Sequence, residues 1–472
     1  MIKIILCDET LIPPFNEPAR DLRTLNKPLW LHQRDVLSAY CSQEIEVGGP
    51  VQDPSEIPAT HAGQPIPLNQ ELLVYRDNLF FDEHLLAAFI EQARAKAKQD
   101  AEPRGSRIAF SLNDRAITAH ALHLQDGIRR DRNGNVYVAD MWYFPQGLTH
   151  QVEPVVVDTL AREIGYYHVP TYMADRSGDL GYQIPLRAFL SIENWAHIFI
   201  ANTPFGIVAH GARIEASLDR VQPVLRILVR SLVERKQFLS SSAMVQVGRN
   251  ARIDPTAIIQ GPAILGDNVV VEAGAVITNS VIGSNVTIGQ GAQVMASVVS
   301  DGSYLPFRAA LFMTTLFENA MVAQNACLQL CVIGRNTFIG AGNTFTDFNL
   351  LGKAIRTMHK GKLREVGLPV LGCCVGNNCR IGSGHVVYPA RMIESDVVLF
   401  SQPGRRVITK NIAFEESDHH GWPGQLHQPM YRPQQVQTAR QSLSAQGGLA
   451  QAEEEPPKRS TIERMIERIG RL

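Results

Sequence analysis

The sequence predicts two structural units, an α/β domain followed by a parallel β-helix. Six-residue repeats run from about Val247 to Leu399, and such repeats form short strands stacked in a coil. Before them, residues 1–240 alternate apolar strand segments with amphipathic helical segments, which is typical of an α/β domain. These two patterns set the fold class.

The repeats have an aliphatic first position and a small or β-branched fifth position. The aliphatic position is occupied in succession by Val247, Ile253, Ile259, Leu265 and Val271. If both positions face inward, successive strands build a narrow apolar core, and the Gly, Asn and Asp between them allow sharp corners. The register slips near Ile277, the stretch 299–328 fits the pattern less well, and an insertion interrupts it at 351–374.

The N-terminal elements are predicted from apolar periodicity and turn signals. Asp82 is expected to cap a helix over 83–98 whose apolar residues lie on one face. Asn133-Gly134 predicts a hairpin, because this pair suits the tight turn between two strands. A helix over 218–238 is expected to be interrupted near Pro223. The remaining predicted elements are strands at 2–7, 71–75, 107–112, 166–173 and 183–186, a helix at 32–40 and a loop at 48–68.

These elements and the composition place the domain boundaries. The predicted parts are an α/β domain at 1–215, a helical linker at 216–245, a β-helix at 246–415 with an insertion at 351–374, and a flexible tail at 416–472. The tail is rich in Gln, Pro, Ser and Glu over 421–457, which is typical of flexible segments. Thr461–Leu472 has the periodicity of a short amphipathic helix, and the alternative is a frayed terminus.

Charge and hydropathy disfavour several classes of partner. Lys plus Arg total 45 and Asp plus Glu 46, so a net charge of -1 favours neither nucleic acid nor an anionic membrane. Without a secretory signal or a spanning segment, we expect a cytoplasmic protein whose seven cysteines are reduced. Cys327 and Cys379 occupy fifth positions of repeats and no CxxC pair exists, so we expect buried thiols rather than a zinc site.

The repeats resemble those of the left-handed parallel β-helix transferases. The order of domains is similar to that of sugar-1-phosphate nucleotidyltransferases with a hexapeptide-repeat β-helix, which include bifunctional N-acetylglucosamine-1-phosphate uridylyltransferase/acetyltransferases. The resemblance implies a nucleotidyltransferase-like α/β domain, a left-handed coil and a homotrimer. It also implies a nucleoside triphosphate and a sugar phosphate as substrates, Mg²⁺ as cofactor and, in the β-helix, acetyl-coenzyme A as a co-substrate.

Two N-terminal segments carry the resemblance at residue level. The segment CDETLIPPFNEPARDLRTLNKPLW lacks the family's glycine-rich phosphate loop but contains Arg20, Arg23 and a Lys-Pro pair at Lys27. The resemblance implies that these three cations bind phosphate, and the alternative is a solvated basic loop. In ELLVYRDNLFF at 71–81, Asp77 lies where the family binds Mg²⁺, at the carboxyl end of a strand; the alternative is a turn cap.

Further candidate residues lie in a late helix and in the β-helix. The segment IENWAHIFIAN resembles a family helix behind the sugar pocket, which implies that Glu193 or Asn202 reaches sugar hydroxyls or the metal; helix packing is the alternative. The basic insertion 351–374 resembles the projecting loop of hexapeptide acyltransferases, which use a histidine as general base. His359 and His385 are the candidate bases, and a solvated loop is the alternative.

Three functions therefore follow as hypotheses. The preferred one is a sugar-1-phosphate nucleotidyltransferase-like transferase of sugar-nucleotide biosynthesis. The second is an acyl-coenzyme A-dependent acyltransferase that acts through the β-helix. The third is a non-catalytic trimeric binding or regulatory protein with degenerate sites, which the missing glycine-rich loop favours.

Overall fold

The computed structural model describes most of the chain. The described residues are 1–48, 54–57, 60–61, 64–65, 70–99, 104–169, 178–218, 221–351, 353–422, 424 and 427–430. The predicted loop at 48–68 and the predicted terminal helix at 461–472 therefore lie mostly or wholly outside them. No helix among the described residues is long and apolar enough to cross a membrane.

The N-terminal domain is built on a mixed sheet. Its strands lie in the order Val152–Val156, Gly105–Ser111, Val136–Phe144, Leu72–Arg76, Ile2–Leu6 and Gln43–Val47, with Ile128–Arg130 paired to Val136–Phe144. Ile2–Leu6 is central to a parallel trio, because it pairs in parallel with both Gln43–Val47 and Leu72–Arg76. Leu72–Arg76 pairs antiparallel with Val136–Phe144, which makes the sheet mixed. The apolar runs at 2–6 and 72–75 are buried, as full coverage of the sheet requires.

Smaller strand pairs complete the domain. They are Leu11–Ile12 with Glu17–Pro18, Arg23–Thr24 with Lys27–Pro28, Thr60–His61 with Gln64–Pro65, Leu79–Phe81 with Phe189–Ser191, and Arg162–Val169 with Gly178–Ile184. The hairpin predicted at Asn133-Gly134 is confirmed, since it joins two antiparallel strands and Gly134 has a φ of 71°. Such a φ is strained for most side chains but not for glycine.

Helices cover the sheet and lead into the β-helix. They are α1 (Leu29–Leu37), α2 (Glu83–Gln99), α3 (Trp195–Asn202), α4 (Ala209–Ser217) and α5 (Val221–Glu234). The predicted cap of α2 is confirmed, because Asp82 Oδ1 accepts a hydrogen bond of 2.8 Å from the Leu85 N–H. The predicted interruption near Pro223 is wrong, because α5 continues through it. Pro223 lies in the first turn, where its missing N–H costs no intrahelical hydrogen bond.

The C-terminal unit is a parallel β-helix with three faces of eight strands each. Face A contains Val245–Val247, Ala263–Leu265, Val281–Ile282, Val298–Val299, Thr315–Leu316, Val332–Ile333, Cys374–Val375 and Met392–Ile393. Face B contains Arg252–Ile253, Val270–Val271, Thr287–Ile288, Tyr304–Leu305, Met321–Val322, Phe338–Ile339, Arg380–Ile381 and Val398–Leu399. Face C contains Ile258–Gln260, Val276–Thr278, Gln293–Met295, Ala310–Phe312, Cys327–Gln329, Thr344–Phe345, Val386–Val387 and Val407–Ile408. This arrangement fits the left-handed coil implied by the resemblance.

The slip near Ile277 is the first of several shortened turns of the coil. Val245 pairs with Ala263, 18 residues on, whereas Ile264 pairs with Val281, 17 residues on. The stretch 299–328, which fits the repeat poorly in sequence, nevertheless forms regular strands on all three faces. The shortened corners are occupied by residues with φ between 46° and 52°, namely Asn279, Ala296, Met313 and Leu330. Three of these four are not the Gly or Asn that such corners favour.

The N-terminal domain packs on face A, and the unusual corner residues explain how. Met313 and Leu330 are almost completely buried and belong to the same apolar cluster as the N-terminal core. Phe317 of the β-helix stacks on Phe15, with ring centroids 5.1 Å apart. Met313 and Leu330 therefore occupy corners that favour Gly or Asn because their larger side chains fill the interface between the two units.

The insertion forms a hairpin that packs against the N-terminal domain and is hydrogen-bonded to it. Arg356–His359 pairs antiparallel with Lys362–Glu365. Trp195 Nε1 donates to Thr357 Oγ1 at 3.0 Å, and Asn194 Nδ2 donates to the Met358 carbonyl at 3.0 Å. The insertion is therefore not the projecting loop expected from the sequence. It packs against the start of α3 instead.

The predicted flexible tail begins with ordered residues. Ser417 Oγ accepts a hydrogen bond of 2.7 Å from the Val398 N–H, and Asp418 Oδ2 accepts one of 2.7 Å from the Phe400 N–H. These residues cover the last turn of the coil. The structure describes the chain as far as Met430.

Candidate functional site

A cavity opens where the parallel trio of strands ends. Its volume is about 690 Å³, which is in the range of small-molecule sites. Cys7 and Asp8 follow the strand Ile2–Leu6, Asp77 follows Leu72–Arg76, and Glu46 lies near the end of Gln43–Val47. Arg20 enters from the short 3-10 helix Ala19–Asp21. We call this cavity the strand-end crevice, and ligands of open α/β sheets bind at such an edge.

Asp77 lies at the base of the strand-end crevice and is 1% exposed. Its Oδ1 accepts a hydrogen bond of 2.9 Å from the Asp8 N–H, and its backbone carbonyl accepts one of 2.9 Å from Gln33 Nε2. Its Oδ2 has no hydrogen-bond donor and lies 3.5 Å from Arg20 Nη1. Burial raises the pKa of Asp77 to about 7, against the opposing effects of the Asp8 N–H and Arg20. A carboxylate held this way is typical of functional sites.

Arg20 crosses the strand-end crevice beside Asp77. Its Nη2 donates to Glu46 Oε1 at 2.8 Å, and its Nη1 lies 3.4 Å from Cys7 Sγ. Burial raises the pKa of the Cys7 thiol, and the negative charge of Asp77 raises it further, so Cys7 is a neutral lining group. The structure thus brings together two of the predicted site residues, Asp77 and Arg20.

Sequence reasoning missed the other residues that line the crevice, among them Cys7, Asp8 and Glu46. Cys7 and Asp8 directly follow the first predicted strand, so the rule that ligands bind at carboxyl ends of strands applies to them as it does to Asp77. Glu46 carries no comparable signal. Its position depends on the pairing of Gln43–Val47 with Ile2–Leu6, which the local sequence does not reveal.

The other predicted phosphate and sugar ligands lie elsewhere. Arg23 Nε donates to Glu318 Oε2 at 2.9 Å, so it joins the domain to the β-helix. Lys27 Nζ donates to Asp35 Oδ2 at 2.6 Å on the surface of α1. Asn202 is completely buried and holds the loop before α1, since its Oδ1 accepts from the Leu25 N–H at 2.6 Å.

His359 lies in the contact between the hairpin and the N-terminal domain. It is 4% exposed, and its Nε2 has no hydrogen-bond partner. Burial, together with the adjacent Lys360, lowers the pKa of His359 to about 4. Lys360 Nζ in turn contacts Asp126 Oδ2 at 2.5 Å and Glu193 Oε2 at 3.0 Å. Glu193, a predicted sugar ligand, is thus used in this contact.

His385 faces the interior of the coil. It is completely buried, and its ring Nδ1 lies 3.1 Å from the Gly382 carbonyl. The backbone N–H of His385 donates to Asn343 Oδ1 at 2.7 Å. It occupies the fifth position of its repeat, where a small residue is usual. Neither candidate histidine therefore opens onto a surface groove.

The donor set of the strand-end crevice suits Mg²⁺ better than a transition metal. Among the described residues there is no group of three or more His, Cys, Asp or Glu that could hold a metal ion by itself. Mg²⁺ needs only one or two carboxylates when phosphate oxygens and water complete its shell. Asp77 Oδ2, which accepts no hydrogen bond, and the carboxylate of Asp8, which lines the same cavity, fit that requirement.

The comparisons with known proteins concern the β-helix. The family described as bacterial transferase hexapeptide (six repeats) matches residues 244–279. A solved putative acetyltransferase from Bacillus cereus is similar at 16% identity and a TM-score of 0.20, over 43% of this chain and 99% of that chain. The UDP-N-acetylglucosamine acyltransferase from Campylobacter jejuni is similar at 16% identity and a TM-score of 0.19, over 33% of this chain and 66% of that chain. No curated protein matches this sequence.

The hexapeptide repeat is therefore recognised in the first turns of the coil. The match ends at residue 279, where the coil changes to shorter turns. It does not extend to the N-terminal domain, so the chemistry of the strand-end crevice is argued from its own residues.

Proposed function

We propose that this protein is a sugar-1-phosphate nucleotidyltransferase-like transferase of sugar-nucleotide biosynthesis. A nucleoside triphosphate and a sugar phosphate would bind in the strand-end crevice with Mg²⁺ on Asp77. The observation that carries the proposal is Asp77 itself. It is a buried carboxylate with one oxygen that accepts no hydrogen bond, at the carboxyl end of a strand in the parallel trio, and it lines a cavity of about 690 Å³.

The residues of the crevice have distinct roles in this reaction. A phosphate oxygen of the sugar phosphate forms a bond to the α-phosphorus, and the bond to the leaving pyrophosphate breaks. Arg20 lies within the cavity and would bind phosphate oxygens through guanidinium N–H groups, which favour such ligands. Asp77 and Asp8 would hold Mg²⁺, which when bound neutralises phosphate charge and stabilises the transition state. Glu46 would position Arg20 through their 2.8 Å contact.

Binding calorimetry tests the proposal. ATP, UTP, CTP, GTP and dTTP are titrated into the protein with Mg²⁺ or with EDTA. We expect one of them to bind in a Mg²⁺-dependent manner, and Asp77→Asn to abolish that dependence. Asp254→Asn is the matched control, because Asp254 is in the β-helix and its carboxylate accepts hydrogen bonds from the N–H and the hydroxyl of Thr256, far from the crevice. The proposal is overturned if no nucleotide binds or if Asp77→Asn binds as tightly as the unchanged protein.

An acyl-coenzyme A-dependent acyltransferase is the second candidate, and the hexapeptide match to bacterial transferases favours it. In that case the β-helix would carry the reaction, with His359 or His385 as general base. Both imidazoles are buried, so a substrate could reach them only after local opening. Release of free coenzyme A from acetyl-coenzyme A with aminosugar phosphates tests this candidate. It fails if His359→Ala and His385→Ala both retain the rate.

A non-catalytic scaffold is the third candidate, and the ion pairs of Arg20 across the crevice favour it.

We also propose a homotrimer, because the outer sides of faces B and C carry exposed apolar side chains such as Tyr304 and Met295. Light scattering after size exclusion measures the subunit number. A monomer at micromolar concentration would contradict the trimer.

A further inference from the structure

Helix α5 carries a stripe of exposed apolar side chains. The α5 stripe consists of Leu225, Leu228, Val229, Leu232 and Val233, which are between 49% and 80% exposed. Ile227 is buried on the opposite side, and the end of the helix is fastened by Glu234, which accepts from the Ser242 N–H at 2.9 Å. The stripe has the i, i+3, i+7 spacing of a helix that packs against another helix.

This helix needs a partner for its stability. A helix of 14 residues is marginal by itself in water, and most helical stability comes from packing of an apolar face. Patches of exposed apolar side chains on a helix mark interaction sites. The α5 stripe is therefore the part of the described surface that most requires a cover.

We propose that residues 461–472 of the same chain bind the α5 stripe as an amphipathic helix. In TIERMIERIGRL the apolar residues recur with helical spacing, at Ile462, Met465, Ile466, Ile469 and Leu472. Apart from Gly470, the positions between them carry charged residues, which leaves one apolar side. Two short amphipathic helices, each marginal alone, stabilise each other when their apolar sides meet.

The length of the connecting chain suits this contact. Met430 is tied to the last turn of the coil, because its N–H donates to Asp396 Oδ1 at 2.9 Å. The first strand after α5 belongs to the first turn of the same eight-stranded stack. Neighbouring strands are about 4.8 Å apart, so the ends of the stack are about 34 Å apart along its axis.

Residues 431–460 are long enough to reach across that separation, because 30 residues can extend up to about 100 Å. Binding of a linked segment is intramolecular, provided that the linker can reach the site. The terminal segment is therefore presented to the α5 stripe at high effective concentration.

Hydrogen exchange measured by mass spectrometry tests the proposal on the full chain. We expect the amides of α5 to exchange at least about tenfold faster when the chain ends at residue 460, because the loss of a few buried aliphatic contacts exceeds 1.4 kcal/mol. Ile466→Glu should have the same effect. Arg464→Glu is the matched control, since Arg464 lies opposite the apolar side of the segment and should leave exchange unchanged. Leu232→Glu in α5 should in turn expose the terminal segment to trypsin.

Each other outcome overturns the proposal. Fast exchange of α5 in the unchanged protein would show that nothing covers the stripe. Protection that survives removal of 461–472 and rises with protein concentration would show that a second copy covers it. Protection that survives removal and does not depend on concentration would place the cover elsewhere in the chain.

Discussion

Asp77→Asn is expected to stabilise the ligand-free protein at alkaline pH. The carboxylate is buried, and its Oδ2 has no hydrogen-bond donor, so ionisation in the folded state is unfavourable. An asparagine retains an oxygen to accept the hydrogen bond from the Asp8 N–H and carries no charge. The substitution therefore removes the cost of a buried charge and keeps the hydrogen bond from Asp8. It also removes the ion pair with Arg20, whose opposing effect is already included in the raised pKa of Asp77.

The size of the effect follows from the pKa of Asp77. Burial raises this pKa from 3.8 to about 7, and each unit corresponds to about 1.36 kcal/mol. Between these two values the folded state binds more protons than the unfolded state, so stability falls as pH rises from about 4 to about 7. The cost is about 2 kcal/mol at pH 5 and about 4 kcal/mol at pH 8. Below pH 4 both states are protonated and the cost disappears.

Urea unfolding followed by tryptophan fluorescence measures this prediction. Of the four tryptophans, Trp30, Trp142 and Trp195 lie in the N-terminal domain, so the signal reports mainly on that domain. We expect Asp77→Asn to raise the free energy of unfolding by up to about 4 kcal/mol at pH 8 and by up to about 2 kcal/mol at pH 5. Equal or lower stability of Asp77→Asn at pH 8 would refute the reasoning that Asp77 is a destabilising group.

Three further predictions concern the crevice and its support. Arg20→Gln should weaken nucleotide binding by roughly 10- to 100-fold in calorimetry, the worth of charge-assisted hydrogen bonds, whereas Lys27→Gln should leave it unchanged. Leu330→Ala should lower the free energy of unfolding by about 2–5 kcal/mol because Leu330 is fully buried between the two units, and Leu350→Ala, at a 79% exposed site, should not. Glu318→Gln should weaken nucleotide binding several-fold in calorimetry, because it weakens the contacts of Glu318 with Arg23 and Arg335, which support the segment that carries Arg20. Unchanged affinity would contradict that role.

The repeat pattern predicts the β-helix well because each turn of the coil is specified locally. The aliphatic first position and the permissive corners lie within six residues of each other, so the sequence shows both at once. The shortened turns were harder to recognise. Met313 and Leu330 occupy corners that favour Gly or Asn, and they do so because they contact a domain that precedes them by more than a hundred residues.

The candidate site was only partly predictable, for a related reason. The sequence predicts Asp77 as a site residue because a strand end is visible as an apolar run followed by a carboxylate. The sequence predicts a phosphate ligand at Arg23 because it does not show the partner of this arginine. That partner, Glu318, lies 295 residues away in the chain. His359 and His385 were chosen for their chemistry, whereas their burial depends on the hairpin contact and on the inward direction of the fifth repeat position. Composition and spacing do not record such long-range contacts.

The contacts between the two units explain how a crevice without a glycine-rich loop can be rigid. Ser395 Oγ donates to the Pro14 carbonyl at 2.9 Å, and Glu17 is held by Arg335. Further along, Asn26 Nδ2 donates to Asp301 Oδ1 at 3.0 Å. The segment that carries Arg20 is therefore fastened to the β-helix on both sides of that residue. A glycine-rich loop shapes itself around phosphates with its own backbone amides, whereas here an external support fixes the loop and a side chain supplies the positive charge. The β-helix is thus part of the crevice's architecture, even though the residues that line the crevice come from the N-terminal domain.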